Sequence, residues 1–169
     1  IGTVIIKRDL QTATLTLTPP ALSLTLSSTS AVGGSGGITG TVALPAPAPT
    51  GGTTVVLTSG HPAVSVPASV QIPQGSTTSA PFAVTTVAVA ANVDVTLQAT
   101  AGALSASRTL QVLAPSLVDF TLSAPTATAG ETVGGTVVLN GPAPAAGMPI
   151  TMTSTDTALA TVANVTVPA

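Results

Sequence analysis

The sequence contains no cysteine, tryptophan or tyrosine, and its 169 residues include only three Lys or Arg and five Asp or Glu. The absence of cysteine excludes disulfides, zinc–thiolate centres, iron–sulfur clusters and thiol catalysis. A net charge of −2 provides no basic surface for nucleic acid. The stretch between Asp9 and Asp94 carries no Lys, Arg, Asp or Glu, but Pro and Gly interrupt it and Thr or Ser alternates with aliphatic residues, so no membrane span is expected.

Hydroxyl side chains and helix-breaking residues dominate what is present, with 31 Thr, 15 Ser, 16 Gly and 15 Pro. Val and Thr favour strands, whereas Gly and Pro interrupt helices. The mean hydropathy of +0.65 is too high for a disordered chain. The composition therefore predicts an all-β protein.

The sequence repeats itself at an offset of 95 residues. Gly40-Thr41-Val42-Ala43-Leu44 matches Gly135-Thr136-Val137-Val138-Leu139, and Pro47-Ala48-Pro49 matches Pro142-Ala143-Pro144. Leu26-Ser27 matches Leu122-Ser123 at an offset of 96, so the second copy loses one residue at the Gly-rich loop. This agreement predicts a tandem array with units of about 95 residues.

The phase of the repeat divides the chain into three parts. One complete unit is predicted for 21–115, the terminal strands of a preceding unit for 1–20, and the first half of a following unit for 116–169. Partial units leave apolar strands unpaired. We expect neighbouring repeats of the same polypeptide to complete them, or alternatively identical subunits that donate strands at 1–20 and 116–169.

Short segments in which aliphatic residues alternate with Thr or Ser, bounded by Gly and Pro, predict seven to eight short strands in the complete unit. Two antiparallel sheets with facing apolar sides are expected, without any helix longer than about one turn. Ala80 is assigned to the same strand as Phe82. Six residues are predicted to form the core: Leu24, Val42, Leu57, Phe82, Val95 and Leu110.

A set of motifs extends over the complete unit: Leu22-Ser23-Leu24-Thr25-Leu26 with the Gly33-Gly34 loop, Gly40-Thr41-Val42, Pro47-Ala48-Pro49 before Gly51-Gly52, Val66-Pro67-Ala68-Ser69-Val70, Ile72-Pro73 and Thr109-Leu110-Gln111-Val112. These motifs resemble the bacterial immunoglobulin-like repeats of large secreted and surface-anchored proteins. The resemblance implies tandem immunoglobulin-like sandwiches that act as stalks, adhesin shafts, extracellular fibres or spacers. The Cys–Trp–Cys core of antibody domains is absent, so any kinship is with the cysteine-free bacterial branch.

Residues that could support catalysis or bind a metal are few and scattered. His61, the only histidine, has Asp156 as its counterpart one unit later and is interpreted as a solvated turn residue. A calcium site between units near Asp119 is a minor alternative. A calcium cage needs 6–8 oxygen ligands, and no two carboxylates lie within a few residues of each other in the sequence. No catalytic, cofactor-binding or metal-binding residue is therefore predicted, and the chain is not expected to be an enzyme. The carboxylates are Asp9, Asp94, Asp119, Glu131 and Asp156.

Three further features have ordinary interpretations. Lys7 is the only lysine, so a Lys–Asn/Asp isopeptide crosslink is excluded from 21–115, and Lys7-Arg8-Asp9 is predicted to form a charged hairpin tip. Asn164-Val165-Thr166 matches the N-glycosylation sequon in form, but it is not interpreted as a glycosylation site. Four threonines alternate along one predicted strand and resemble an ice-binding face: Thr12, Thr14, Thr16 and Thr18. The corresponding positions of the next copy are not all threonine, so an ordinary solvent-facing strand is the favoured interpretation.

The two aromatic residues, Phe82 and Phe120, lie in alternating strands and are both expected in the core. Carbohydrate-binding modules usually present aromatic platforms, so no sugar-binding surface is expected. Proline restricts the backbone at the two links between units, Pro19-Pro20 and Ala114-Pro115. The sequence thus predicts a structural fibre, stalk or sheath at the bacterial cell surface or outside the cell. The alternative is a ligand-binding adhesin shaft or the spacer of a secreted enzyme.

Overall fold

A computed structural model describes residues 21–169 in full and the backbone of two strands before them. All regular secondary structure in the described residues is β, which confirms the predicted all-β class. None of these residues forms a helix that is long and apolar enough to cross a membrane. The strands are β1 (Gly2–Arg8), β2 (Gln11–Leu17), β3 (Ser23–Leu26), β4 (Ser30–Val32), β5 (Ile38–Ala43), β6 (Thr53–Ser59), β7 (Val64–Ser65), β8 (Ser69–Ile72), β9 (Phe82–Thr86), β10 (Val93–Ala101), β11 (Leu104–Leu113), β12 (Leu117–Leu122), β13 (Gly135–Leu139), β14 (Met148–Ile150) and β15 (Val165–Val167).

Residues 21–115 form a sandwich-like pair of sheets. One sheet has the strand order β4-β11-β10-β6-β8 and the other β3-β5-β9-β7. The pairings are antiparallel except for β4 with β11, which is parallel. The predicted, mostly antiparallel arrangement is confirmed.

A single apolar core fills the space between the two sheets. Leu24 and Val42 contribute from one sheet, and Val95 and Leu110 from the other. Full burial of a side chain of this size stabilises a fold by about 1.5–3 kcal/mol. Leu57 and Phe82 belong to the same cluster, so the predicted burial of all six core residues is confirmed.

The strand count in 21–115 is higher than predicted, with nine strands instead of seven to eight. The additional strand is β4, whose Ser-Ala-Val sequence has no alternating pattern and depends on its pairing with β11. The assignment of Ala80 to the strand of Phe82 is wrong, because Ala80 is exposed and β9 begins at Phe82. Ser79 is buried in its place: its Oγ accepts the N–H of Val42, and its own N–H bonds to the Val42 carbonyl.

β1 and β2 pair with each other and belong to neither sheet of the 21–115 sandwich. Lys7 and Arg8 are the last residues of β1, opposite Thr12 and Gln11, so they lie at the end of the strand next to the predicted tip. The last pair of this hairpin is Arg8 with Gln11, whereas the last pair of β10–β11, Ala101 with Leu104, corresponds to residues 6 and 9. Asp9, the third residue of the predicted tip, and Thr18 of the threonine ladder lie outside the described residues.

The first two strands of 116–169 pair as their sequence counterparts do. β12 places Phe120 opposite Val137, as β3 places Leu24 opposite Val42. The offsets are 96 residues for the first strand and 95 for the second, the same offsets at which the sequences match. The two strand pairs therefore share one register.

The other two strands of 116–169 also pair as their counterparts do. β14 places Ile150 opposite Val165, as β6 places Val55 opposite Val70, and both offsets are 95 residues. Hydrogen bonds outside the ladders recur as well. The N–H groups of Thr39 and Gly134 bond to Oγ of Ser27 and Ser123 at 3.0 and 2.9 Å, and those of Gly52 and Gly147 bond to the carbonyls of Pro49 and Pro144 at 2.8 and 2.7 Å.

Candidate interaction surface

The part of the chain that the structure describes contains no group of three side chains able to hold a metal ion. Asp119 lies in β12 opposite Val138 and belongs to no such group. Asp94 in β10 accepts a hydrogen bond from Nε2 of Gln111 on the neighbouring strand at 3.1 Å. These carboxylates lie on separate strands and are not brought together into a site.

His61 is part of a hydrogen-bonded turn. Its Nδ1 accepts the N–H of Ala63 at 3.1 Å, and Oδ1 of Asp156 accepts the N–H of Ala158 at 3.0 Å in the corresponding turn. The two side chains are interchangeable here because neutral imidazole and carboxylate each offer an acceptor in this position. This geometry explains how histidine and aspartate can occupy corresponding positions of the two turns.

Glu131 closes a four-residue turn with Thr128. Its Oε2 accepts the backbone N–H of Thr128 at 2.7 Å and the hydroxyl at 3.0 Å. The backbone hydrogen bond, followed by the hydroxyl, lowers the pKa of Glu131 below its ordinary value of 4.5, because both stabilise the carboxylate. The carboxylate is fully exposed, so this is a local turn contact.

Asn164, the residue of the sequon-like triplet, has a structural contact. Its Oδ1 accepts the N–H of Met152 at 3.0 Å. The bond ties the segment that follows β14 to the segment that leads into β15. The amide is therefore engaged in holding 116–169 together.

Phe120 does not lie in a closed core, and this expectation is wrong. It is 45% exposed, whereas its counterpart Leu24 is 2% exposed and Phe82 is 7% exposed. In the 21–115 sandwich, β9, β10 and β11 complete the two sheets over the corresponding face. The described residues of 116–169 include no counterparts of these three strands, so the face that carries Phe120 stays open.

The open face forms an apolar groove of about 450 Å³ between the β12–β13 pair and the segment after β14. We call it the apolar groove. Large aliphatic and aromatic side chains on both of its sides remain accessible, and such contiguous exposure in a folded protein marks a contact surface. Its apolar lining residues are Leu117, Phe120, Leu122, Val137, Ile150, Met152 and Val162.

One wall of the apolar groove is a strand that stops early. β6 has seven residues, whereas its counterpart β14 has three and ends at Ile150. The four residues that follow, 151–154, correspond to Val56–Ser59 at an offset of 95 residues. Val56–Ser59 are the residues of β6 that pair with β10. Residues 151–154, which form no strand, are therefore the counterparts of the residues that pair with β10, and β10 has no counterpart among the described residues.

The link between the 21–115 sandwich and 116–169 is held from both sides. The N–H of Ala114 bonds to Oδ1 of Asn92, and the N–H of Ser116 bonds to Oδ1 of Asn140, each at 2.8 Å. Pro115 between them is buried and has no N–H, so every backbone donor of this three-residue link has a partner. Sequence reasoning does not single out either asparagine, because a lone Asn near a turn is ordinary.

Loops from both sides also meet beside the link. A Cβ on Gly141 would stand 2.5 Å from Cγ1 of Val32, so only glycine permits this approach without a shift. A Cβ on Gly34 would stand 3.2 Å from Cγ of Pro142. The contact therefore joins the Gly-rich loop after β4 to the loop after β13.

No family model matches the chain, and none of the curated proteins compared with it gives a significant match. The features available for a functional proposal are the sandwich, the link at Pro115 and the apolar groove.

Proposed function

We propose that this chain belongs to a structural extracellular protein of a bacterial surface, built from immunoglobulin-like repeats that form a fibre, stalk or sheath. It has no catalytic role. The observation that carries the proposal is the link at Pro115. A spacer that transmits position or force needs stiff joints, and this link is held by Asn92 from one side and by Asn140 from the other.

Proline adds stiffness to the same joint. It restricts its own φ and disfavours the helical region for the residue before it, here Ala114. The close approach of Gly141 to Val32 adds a packing contact beside the link. Together these contacts favour one orientation of successive units, which suits a shaft better than a flexible tether.

The composition of the surface supports the same proposal. Thr and Ser provide a hydrated surface, and 21–115 contains only Asp94, Arg108 and His61 as titratable side chains. Electrostatic contributions to stability depend on such groups and are screened by salt. A polymer of these units is therefore expected to keep its shape over a wide range of pH and salt.

The test is the location of the protein on intact cells that carry its gene. Antibodies raised against the purified 169-residue chain are applied with gold labels before and after permeabilisation. Label along surface filaments or a surface layer on intact cells is the expected result. Label that appears only after permeabilisation would overturn the proposal, and label that follows a secreted enzyme without filaments would establish the spacer alternative.

A further inference from the structure

We propose that Asn140 is a site of spontaneous covalent modification, at which the backbone nitrogen of Gly141 displaces the side-chain amide and loosens the link at Pro115 as the protein ages. The site lies between two described parts of the chain. The inference goes beyond the proposed function, since this chemistry does not depend on where the protein is located. Water is the only co-reactant, because the attacking group, the leaving group and the stabilising donor all belong to this chain.

The reaction is an intramolecular displacement followed by hydrolysis. The backbone nitrogen of Gly141 loses its proton and attacks Cγ of Asn140. A bond forms between these two atoms, the bond from Cγ to Nδ2 breaks, and that nitrogen leaves as ammonia, so a five-membered succinimide ring results. Water then opens the ring at one of its two carbonyl carbons. Aspartate results when the new bond to Cγ breaks, and isoaspartate when the original peptide bond breaks.

The chain provides a comparison within one molecule, because it contains three asparagines: Asn92, Asn140 and Asn164. In each of them Oδ1 accepts one backbone N–H, from Ala114 and Ser116 at 2.8 Å and from Met152 at 3.0 Å. A donor at this oxygen stabilises the negative charge that develops there when Cγ is attacked. The three side chains are thus polarised alike, and the residue that follows each of them makes the difference.

The following residue favours reaction at Asn140 alone. Asn92 and Asn164 precede Val93 and Val165, the first residues of β10 and β15. A β-branched side chain crowds the backbone nitrogen, and pairing in a strand fixes its position. Gly141 has no side chain and lies beyond the end of β13, and its N–H has no hydrogen-bond partner among the described residues. The nitrogen of Gly141 is therefore the one best able to approach a side-chain carbonyl.

The same asparagine holds the link, so its conversion acts directly on the joint. The N–H of Ser116 bonds to Oδ1 of Asn140, and the N–H of Asn140 bonds to the Ser116 carbonyl at 3.0 Å. In isoaspartate the main chain runs through Cγ, so the backbone between residues 140 and 141 gains one carbon atom. Space beside Gly141 is already short, because a Cβ there would stand 2.5 Å from Cγ1 of Val32. Isoaspartate therefore displaces this packing contact.

The two products are expected to differ in their effect on the link. Aspartate keeps an acceptor oxygen in the same position, so the hydrogen bond from the Ser116 N–H persists. Isoaspartate moves that oxygen and Gly141 together. Both products add one negative charge, which changes the net charge from −2 to −3. Separation by charge therefore measures all modified chains, and fragmentation in the mass spectrometer distinguishes isoaspartate from aspartate.

The experiment follows the folded 169-residue chain for several weeks at about pH 6 and about pH 9, with peptide mapping of all three asparagines. We expect modification of Asn140 to be at least about tenfold faster than that of Asn92 or Asn164. It should also be faster at the higher pH, because the attacking nitrogen must lose its proton. Equal rates at the three positions, or reaction at Asn140 only after unfolding in urea, would overturn the inference.

A second measurement tests the effect on the link. Spin labels at Ser105→Cys and Thr126→Cys, both exposed positions, report the distance across the link by pulsed electron resonance. The distance distribution should broaden in proportion to the isoaspartate content at residue 140. Asn140→Asp is the matched control, because it presents the aspartate product directly and its carboxylate is a poor target for attack, so its distribution should stay narrow. Isoaspartate without broadening would overturn the effect on the link, and none of these outcomes alters the cellular location that tests the proposed function.

Discussion

Gly40 of β5 lies directly against the ring of Phe82 on the adjacent strand β9, where a Cβ on Gly40 would stand 2.6 Å from Cε2 of the ring. The ring occupies the space that a side chain at position 40 would need. Gly135, the counterpart of Gly40, also faces a phenylalanine: its Cβ would stand 3.1 Å from Cε2 of Phe120. That ring comes from β12, the strand that pairs with β13 as β3 pairs with β5. No counterpart of β9 is present among the described residues to supply a ring along the opposite edge.

Replacement of Gly40 tests this contact. We expect Gly40→Ala to destabilise the sandwich by about 1–3 kcal/mol, because the new methyl group forces the ring of Phe82 or the backbone to move. In a Phe82→Leu background the same substitution should cost much less, since the coupled side chain is smaller. Urea unfolding of the four proteins measures both costs. Equal costs in the two backgrounds would show that the ring is not what excludes a side chain at position 40.

The two phenylalanines are expected to differ in their contribution to stability. Phe82→Ala should lower the free energy of unfolding by about 3–5 kcal/mol, because it leaves a cavity in a closed core. Phe120→Ala should cost less than about 1 kcal/mol, because the ring is 45% exposed in the open groove. Thermal and urea unfolding of both variants give the comparison. Similar losses would mean that the groove is already closed in the free chain.

The turn at Glu131 should respond to pH. Its pKa is lowered by the N–H and hydroxyl of Thr128, so the stabilisation of the folded turn is fully present above the ordinary value of 4.5 and is lost as the pH falls through the lowered value. The amide resonance of Thr128 should report this titration with a midpoint below 4.5. Glu131→Gln keeps an acceptor without the charge, and its Thr128 amide should not titrate. A midpoint at or above 4.5 in the unmodified chain would contradict the hydrogen-bonded geometry.

The link at Pro115 is expected to loosen when its asparagine acceptors are removed. With Asn92→Ala and Asn140→Ala combined, the N–H groups on either side of Pro115 lose their partners. Because the chain lacks cysteine, spin labels can be placed at Ser105→Cys and Thr126→Cys, both exposed positions. Pulsed electron resonance should give a narrow distance distribution that broadens in the double alanine variant.

The matched control for the link keeps the acceptor oxygens. Asn92→Asp with Asn140→Asp retains an oxygen at each position, so the distribution should stay narrow. A broad distribution in the unmodified chain would contradict a stiff joint. An unchanged width in the alanine variant would mean that Pro115 alone sets the orientation.

Local alternation is the part of the fold that the sequence predicts well. In β5, Ile38 and Val42 are buried with Gly40 between them, as their spacing indicates. The sequence does not predict the strand β4, because Ser30–Val32 has no alternation of apolar and polar residues. It exists through parallel pairing with β11, a contact between residues far apart in the sequence.

The open groove also could not be predicted in full. The sequence places 116–169 as half of a unit but treats Phe120 as a core residue, because its alternating pattern matches that of Leu24. Burial of either side chain depends on strands from elsewhere in the chain. Residues 151–154 match Val56–Ser59 yet form no strand, since pairing with a partner, and not propensity alone, makes a strand of this length stable.

The central claim is that 116–169 is the first half of a unit of the same kind as 21–115. Ala169 corresponds to Gln74, so the sequence of residues 75–115 can be appended directly after Ala169. The decisive measurement is calorimetric unfolding of this extended chain beside the 169-residue chain. The account predicts a second cooperative transition of similar size to that of the sandwich, with loss of dye binding at the apolar groove. A single unchanged transition, with the appended residues unfolded and the groove still open, would contradict it.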